Sequence, residues 1–276
     1  NVERLYGIGA SLDVAGSRFS AALVLLAFFL LSMEQTRFRN WMFFYLLAFV
    51  FIAVVGNMIA RTTTVGLLLA IAYLLYKSGI WRLQLSAESR KLWLYLGGVL
   101  LLTIPLCVYL YQQDAIFRSN LRFAFEGFFS LIEKGEWQVS SNEKLKTMYV
   151  FPDNLKTWVM GDGYFSNPYR IDPYFTGDYI VGYYMGTDAG YLRFIFYSGL
   201  IGLAAITAVV WKACLICRHR FEAQKELFGL FLLVNLLVWF KVSTDIFLIF
   251  ALFMMVNQDE NDAYNRKITL ANENTL

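Results

Sequence analysis

The sequence predicts an all-α membrane protein: a polytopic bundle of six or seven transmembrane helices with a long outward loop region that contains an amphipathic helix. Three observations carry that expectation. Hydrophobic residues make up 58% of the 276 and the mean hydropathy is +0.50, above the apolar share of an ordinary soluble domain. The apolar residues are gathered into blocks with few or no charges instead of alternating with polar ones. Lys and Arg cluster in alternate short connections, the pattern of cytoplasmic loops.

The chain opens on Asn1 within a polar segment, Asn1 to Ser17, without a signal-peptide pattern, and reads as a fragment of a longer protein lacking earlier helices. Apolar blocks follow at Ala21 to Leu31, Trp41 to Val55, Val65 to Tyr76, Leu92 to Tyr111, Leu192 to Trp211 and Leu227 to Phe240. With modest extensions most approach the ~20 residues needed to cross a bilayer. Ile246 to Val256 is too short alone. As one helix, Leu227 to Val256 would run ~45 Å against a ~30 Å hydrocarbon core and carry Lys241 and Asp245 toward mid-membrane. A hairpin turning at Lys241 to Asp245 is the favoured alternative.

Orientation follows from the basic loops. Arg37 and Arg39, then Lys77, Arg82, Arg90 and Lys91, then Lys212, Arg218, Arg220 and Lys225 mark the cytoplasmic side. The N-terminal segment, the short link at Arg61 and the long insert then face outward. Trp41, Trp81, Trp93 and Trp211 fall near span ends as interfacial anchors. Residues 1–112 therefore hold transmembrane helices and the outward N-terminal segment, and 113–189 the loop and cap. Residues 190–256 hold the C-terminal transmembrane helices and 257–276 a cytoplasmic tail.

The net charge of +3 is what the loop bias leaves behind, so no nucleic-acid partner is expected. Cys107 lies in a membrane helix, and Cys214 and Cys217 with His219 make an incomplete metal set. No metal or other cofactor is expected. His219, the one histidine, belongs to a cytoplasmic loop, so outward proton transfer must use a carboxylate, a Tyr or a residue from elsewhere. No nucleotide fingerprint is present.

Within the insert, Phe117, Leu121, Phe125, Phe128 and Ile132 form one apolar stripe, which predicts a helix over Ala115 to Lys134. It would lie on the outer membrane surface or cap the bundle, as a structural lid or a substrate contact. Glu136 to Lys146 reads as a loop with a short helix. From Tyr149 to Tyr191, rings interleave with carboxylates and glycines; Trp158, Tyr164, Tyr183, Tyr184 and Tyr191 are candidates for facing a sugar. The plainer reading makes such rings the small core of a cap.

Arg4, Arg18, Arg61 and Arg193 fall near one membrane face, where a guanidinium can clamp phosphate or snorkel to headgroups. The segments Arg4 to Gly7, Asn57 to Thr64, Met160 to Gly163, and Thr187 to Arg193 followed by Gly199 to Gly202, carry a resemblance. The chain resembles the C-terminal part of the O-antigen polymerase and O-antigen ligase superfamily. The resemblance implies metal-independent glycosyl transfer from undecaprenyl pyrophosphate to an acceptor hydroxyl, at the periplasmic face of a bacterial inner membrane. Arg61, Arg18, Arg4 and Arg193 would bind the pyrophosphate, and a chain-length regulator protein is a candidate partner. Ligases of the superfamily carry a His where this chain has Asp188, which favours a polymerase. Asp188 becomes the candidate general base, with Asp162 second; the alternative is that Thr187 or Asp188 caps the next helix. A lipid-linked oligosaccharide flippase, or a glycosyltransferase using a monophosphate donor, are readings from other classes.

Overall fold

The computed structural model describes residues 12–31, 41–80, 87–167 and 182–256, and among these every regular element is a helix. α1 (Leu12–Leu31), α2 (Met42–Ile59), α3 (Thr63–Lys77) and α4 (Ala87–Gln113) come first. Four short helices follow: α5 (Ala115–Ala124), α6 (Glu126–Lys134), α7 (Ser140–Thr147) and α8 (Leu155–Met160). α9 (Gly190–Arg220), α10 (Lys225–Val238) and α11 (Phe247–Met255) complete the described chain.

Four helices, α1, α2, α4 and α9, are long and apolar enough to cross a membrane. The other three expected spans are shorter, at 15 residues for α3, 14 for α10 and 9 for α11. At ~1.5 Å per residue they reach only about 14 to 22 Å, short of a ~30 Å core. The expected six or seven spans thus become four full-length helices and three partial ones. Each apolar block lies almost wholly within a helix, and it is the expected extension toward ~20 residues that α3, α10 and α11 do not show.

α1 lies at the centre, with Leu23, Val24 and Ala27 fully buried in a core shared with α2, α3 and α10. Small residues set its approach to α3. A Cβ on Gly66 would fall 2.2 Å from Ser20 Cα, so the two backbones meet closely. The polar run between α2 and α3 is a tight elbow that satisfies itself. The Thr63 hydroxyl donates to Gly56 O at 3.0 Å and the Thr64 hydroxyl to Asn57 Oδ1 at 2.6 Å. The Ser20 hydroxyl donates across from α1 to Thr62 O at 3.0 Å. These bonds are why polar residues can sit between apolar blocks, and they fix Arg61 at the elbow's tip.

The C-terminal segment is the expected hairpin. Phe231 faces Phe250 with ring centroids 6.3 Å apart, Phe228 faces Phe253 at 5.0 Å, and Ile246 N–H donates to Asn235 Oδ1 at 3.0 Å. In all three pairs one partner advances as the other retreats, so α10 and α11 run antiparallel with Lys241 in the turn. Gly190 admits that turn: a Cβ there would meet Val242 O at 2.4 Å. Cys214 and Cys217 are buried and donate to Phe228 O and Phe250 O, which makes them small core residues.

The single amphipathic helix expected over Ala115 to Lys134 is two. Phe125 leaves helical geometry, and α6 starts afresh at Glu126. Its Gly127 lies against the Trp137 indole, where a Cβ would be 2.5 Å away, so the return of the chain over α6 favours a bend that the stripe alone does not reveal.

α9 is interrupted at Gly199, whose φ is +64°. The interruption frees the carbonyls of Phe196 and Tyr197, and the turn after α8 supplies donors: Asp162 N–H at 2.6 Å and Gly163 N–H at 3.1 Å. This docks the cap onto α9. Substituting Gly199→Ala adds a Cβ 2.1 Å from Val159 O at a positive φ, so it should cost on the order of 1–3 kcal/mol. The expected outcome is a lower thermal midpoint in detergent and faster proteolysis within 155–163, whereas Gly98→Ala, with open space around it, should leave both unchanged.

Candidate functional site

A cavity of about 440 Å³ opens where five segments converge: the start of α1, the elbow, the cap around α7, the approach to α9 and the hairpin turn. Its charged lining is Asp13, Arg61, Lys144, Asp188 and Lys241, with Tyr183 beside them. Leu12, Ile59, Phe123 and Val242 complete an apolar part of the wall. Lys77 and Arg220, from two of the basic connections, lie at the other end of the bundle, where Lys77 pairs with Glu226 at 2.7 Å and Arg220 donates to Met254 O.

Arg61 reaches this cavity from the elbow with a side chain only 9% exposed. Its guanidinium is aimed by the cap: Nε–H donates to Phe123 O at 2.9 Å, one terminal nitrogen to Ser141 Oγ at 2.7 Å, and the other pairs with Glu126 at 2.6 Å. It also lies 4.0 Å from the centroid of the Phe123 ring. A delocalised cation in this setting is oriented before any ligand arrives.

Asp188 stands just before α9. The residue at the helix cap is Ala189 and no side chain bonds there, so neither Thr187 nor Asp188 is the cap that local spacing offered. The carboxylate instead faces the cavity. Burial raises its pKa first and the Asp13 carboxylate second, against the opposing pull of Arg193, a hydrogen bond from Tyr183 and Lys241, and the result is about 6. Burial and then Asp188 push the Tyr183 phenol up as well. The Asp13 carboxylate accepts from the Thr62 hydroxyl at 3.3 Å, which ties it to the elbow.

Arg193 supports this carboxylate from outside the cavity lining. Its guanidinium is sandwiched between the rings of Phe165 and Tyr183, 3.8 and 4.2 Å from their centroids. It donates to Ser243 Oγ at 2.8 Å and Phe165 O at 3.1 Å, and lies 3.8 Å from Asp188. Arg193 is thus a positioning residue that joins the cap, α9 and the hairpin turn. Arg18 is exposed on α1 and does not line the cavity, and Arg4 lies outside the described residues.

The remaining candidates divide into two further groups. Asp162 accepts from the Thr157 hydroxyl at 2.7 Å and the Tyr184 phenol at 3.3 Å, and Tyr164 packs on Tyr184. Burial and then Asp162 push the Tyr184 phenol up to about 12. That group belongs to the dock at Gly199. Trp158 and Tyr191 line a separate apolar groove of about 390 Å³. The Trp158 indole donates to Pro152 O at 2.9 Å and the Tyr191 phenol to Leu236 O at 2.9 Å. Of the five aromatic sugar candidates, only Tyr183 reaches the charged cavity.

Asp13, Lys144 and Glu126 were not visible as site residues in the sequence, and Lys241 stood out only as a charge at a turn. Each comes from a different segment, so no local spacing marks them. Among the described residues no group of three His, Cys, Asp or Glu side chains could hold a metal ion.

The raised Asp188 pKa has a stability consequence. An unfolded Asp titrates near 3.9, so the folded state holds this proton more tightly. The contribution is therefore present below about pH 4 and lost as pH rises through about 6. Asp188→Asn should raise the thermal midpoint at pH 7.5 and leave it near wild type at pH 4; a midpoint that falls at pH 7.5 would contradict the raised pKa. No family model matches the chain, and neither curated proteins nor solved structures show a match.

Proposed function

We propose that this chain is a membrane glycan polymerase of the O-antigen polymerase and ligase kind. It moves an oligosaccharide from undecaprenyl pyrophosphate onto a hydroxyl of an acceptor repeat unit, in the making of a surface polysaccharide. The observation that carries this reading is the meeting of Arg61 and Asp188 in one cavity at a membrane-helix end, with Lys144 and Lys241 on its wall. A carboxylate with a pKa near 6 and three cations are the two halves that such a transfer needs.

Asp188, ionised, takes the proton of the acceptor hydroxyl. The hydroxyl oxygen forms a bond to the anomeric carbon as the bond from that carbon to the pyrophosphate oxygen breaks. The departing lipid pyrophosphate takes up the negative charge, which Arg61, Lys144 and Lys241 stabilise. No nucleotide or metal enters this scheme. A ligase would require a His near the loop's end, whereas His219 lies in the last turn of α9, among the basic residues. The positive-inside pattern supports placing the cavity at the outer face of the inner membrane.

Replacing Asp188 by Ala, or Arg61 by Lys, should abolish the long-chain glycan ladder of the producing cell while the protein remains in the membrane. Arg61→Lys keeps the charge and loses the planar fork, so it separates clamping from simple charge. An unchanged ladder in both variants would reject the reading. In membranes, the transfer rate should climb with pH through about 6 and level off above it, because the base acts only when ionised. A rate that falls over that range would exclude Asp188 as the base.

A further inference from the structure

A second cavity of about 910 Å³ adjoins the first, between the polar faces of α5 and α6 and the segment 138–143. Arg61 and Phe123 belong to the walls of both cavities, whereas Asp188 lines only the first. One oriented guanidinium therefore separates two compartments that share an edge.

Their charges differ. In the first, Arg61, Lys144 and Lys241 outnumber Asp13 and Asp188. In the second, Arg61, Arg122 and Lys134 are balanced by Glu126, Glu133 and Glu143. An anion gains from the first compartment and gains little from the second. The second carries instead a mixture of donors and acceptors, beginning with the Ser119 hydroxyl. The Ser130 and Ser140 hydroxyls donate to Glu136 O and Glu126 and keep acceptor capacity, and the Gln138 amide gives one hydrogen bond to Glu136 and keeps a second N–H. Sugar hydroxyls both give and accept hydrogen bonds and so call for such a mixture.

One wall is rigidly built. The Arg122 guanidinium pairs with Glu133 at 2.7 Å, donates to the Tyr111 phenol at 3.1 Å and lies 4.9 Å from the Phe129 ring centroid. Phe129 in turn stacks on Tyr111, with centroids 6.0 Å apart and planes 9° from parallel. Phe123 and Phe129 form the apolar part of this wall, with Arg61 packed on the first ring and Tyr111 and Arg122 on the second. The volume lies within the ~300–1,000 Å³ range of small-molecule sites.

We infer that the second cavity is a binding subsite for a neutral oligosaccharide, set apart from the anionic end of the donor by Arg61. The inference rests on the glycan-polymerase reading, since a polymerase must hold a saccharide beside the reacting centre while the next transfer occurs. It adds a location and a charge class. Saccharide units pass from the charged compartment, around Arg61 and Phe123, into the balanced one.

The test is direct binding of the purified full chain, in detergent, to a printed array of neutral and acidic oligosaccharides. Wild type should retain neutral oligosaccharides. Ser119→Phe, which fills the cavity, and Gln138→Leu, which removes an amide on an exposed loop, should each weaken retention about tenfold or more, the worth of one good hydrogen-bonded contact. Lys156→Met, on α8 and outside the lining of both cavities, should leave it unchanged. If Ser119→Phe fails to fold by circular dichroism, Gln138→Leu decides alone. Retention of no neutral oligosaccharide, or retention indifferent to Gln138→Leu, overturns the inference. Glycan binding that behaves as expected while the Asp188 and Arg61 variants leave the ladder unchanged would overturn the polymerase reading and keep the subsite.

Discussion

The Arg61 guanidinium connects parts of the protein that the chain makes separately. It comes from the elbow between two apolar helices and meets three acceptors in the cap: a carbonyl, a hydroxyl and the Glu126 carboxylate. Hydrogen bonds to charged groups contribute roughly 1.5–3 kcal/mol each, so this cluster is a substantial part of the attachment of cap to bundle. The elbow can present it because Thr63, Thr64, Asn57 and Ser20 satisfy the backbone around it. The remaining attachments, at Gly199 and through Arg193, fasten the other side of the cap to α9 and the hairpin turn.

This arrangement has a chemical consequence. A carboxylate next to a fixed cation is a stand-in for the anion that a ligand would bring, and Glu126, a third exposed, occupies that place on Arg61. On the proposed reading, a pyrophosphate in the charged cavity would compete for Arg61 with Glu126, which lines only the second cavity. Asp188 contributes the opposite tension. Its ionised form is disfavoured by burial and by Asp13, which costs stability and leaves a carboxylate suited to taking up a proton near neutral pH.

Much of the bundle was legible in the sequence because a membrane helix needs only a long apolar run. α1, α2, α4 and α9 stand where such runs stand, and Lys241 and Asp245 signalled the hairpin, since a continuous helix would have buried them. The extension of the shorter blocks toward a full span was the part that failed: α3 and α10 stay within two residues of Val65 to Tyr76 and Leu227 to Phe240. The bend at Phe125 is accompanied by Trp137 packing onto Gly127, a contact between residues ten apart with no periodic sign. Arg61 was legible as a cation in a polar run between apolar blocks, whereas Asp188 was singled out through the resemblance. Asp13 and Lys144 were not legible, because the cavity draws one residue from each of several distant segments. Ring-rich composition did not separate the charged cavity from the rest: Tyr184 packs on Phe196 and Trp158 against Leu192 and Ile195, Tyr164 packs on Tyr184, and Tyr191 on Phe240, and none of the four lines that cavity.

The central claim is that the charged cavity binds a pyrophosphate through Arg61. Calorimetric titration of inorganic pyrophosphate into the purified full chain tests it most directly. The expected result is binding at one site that Arg61→Lys and Lys144→Ala both weaken and that Glu126→Gln strengthens by removing the internal competitor. Absence of binding to the wild-type chain, or binding indifferent to Arg61→Lys, would contradict the account.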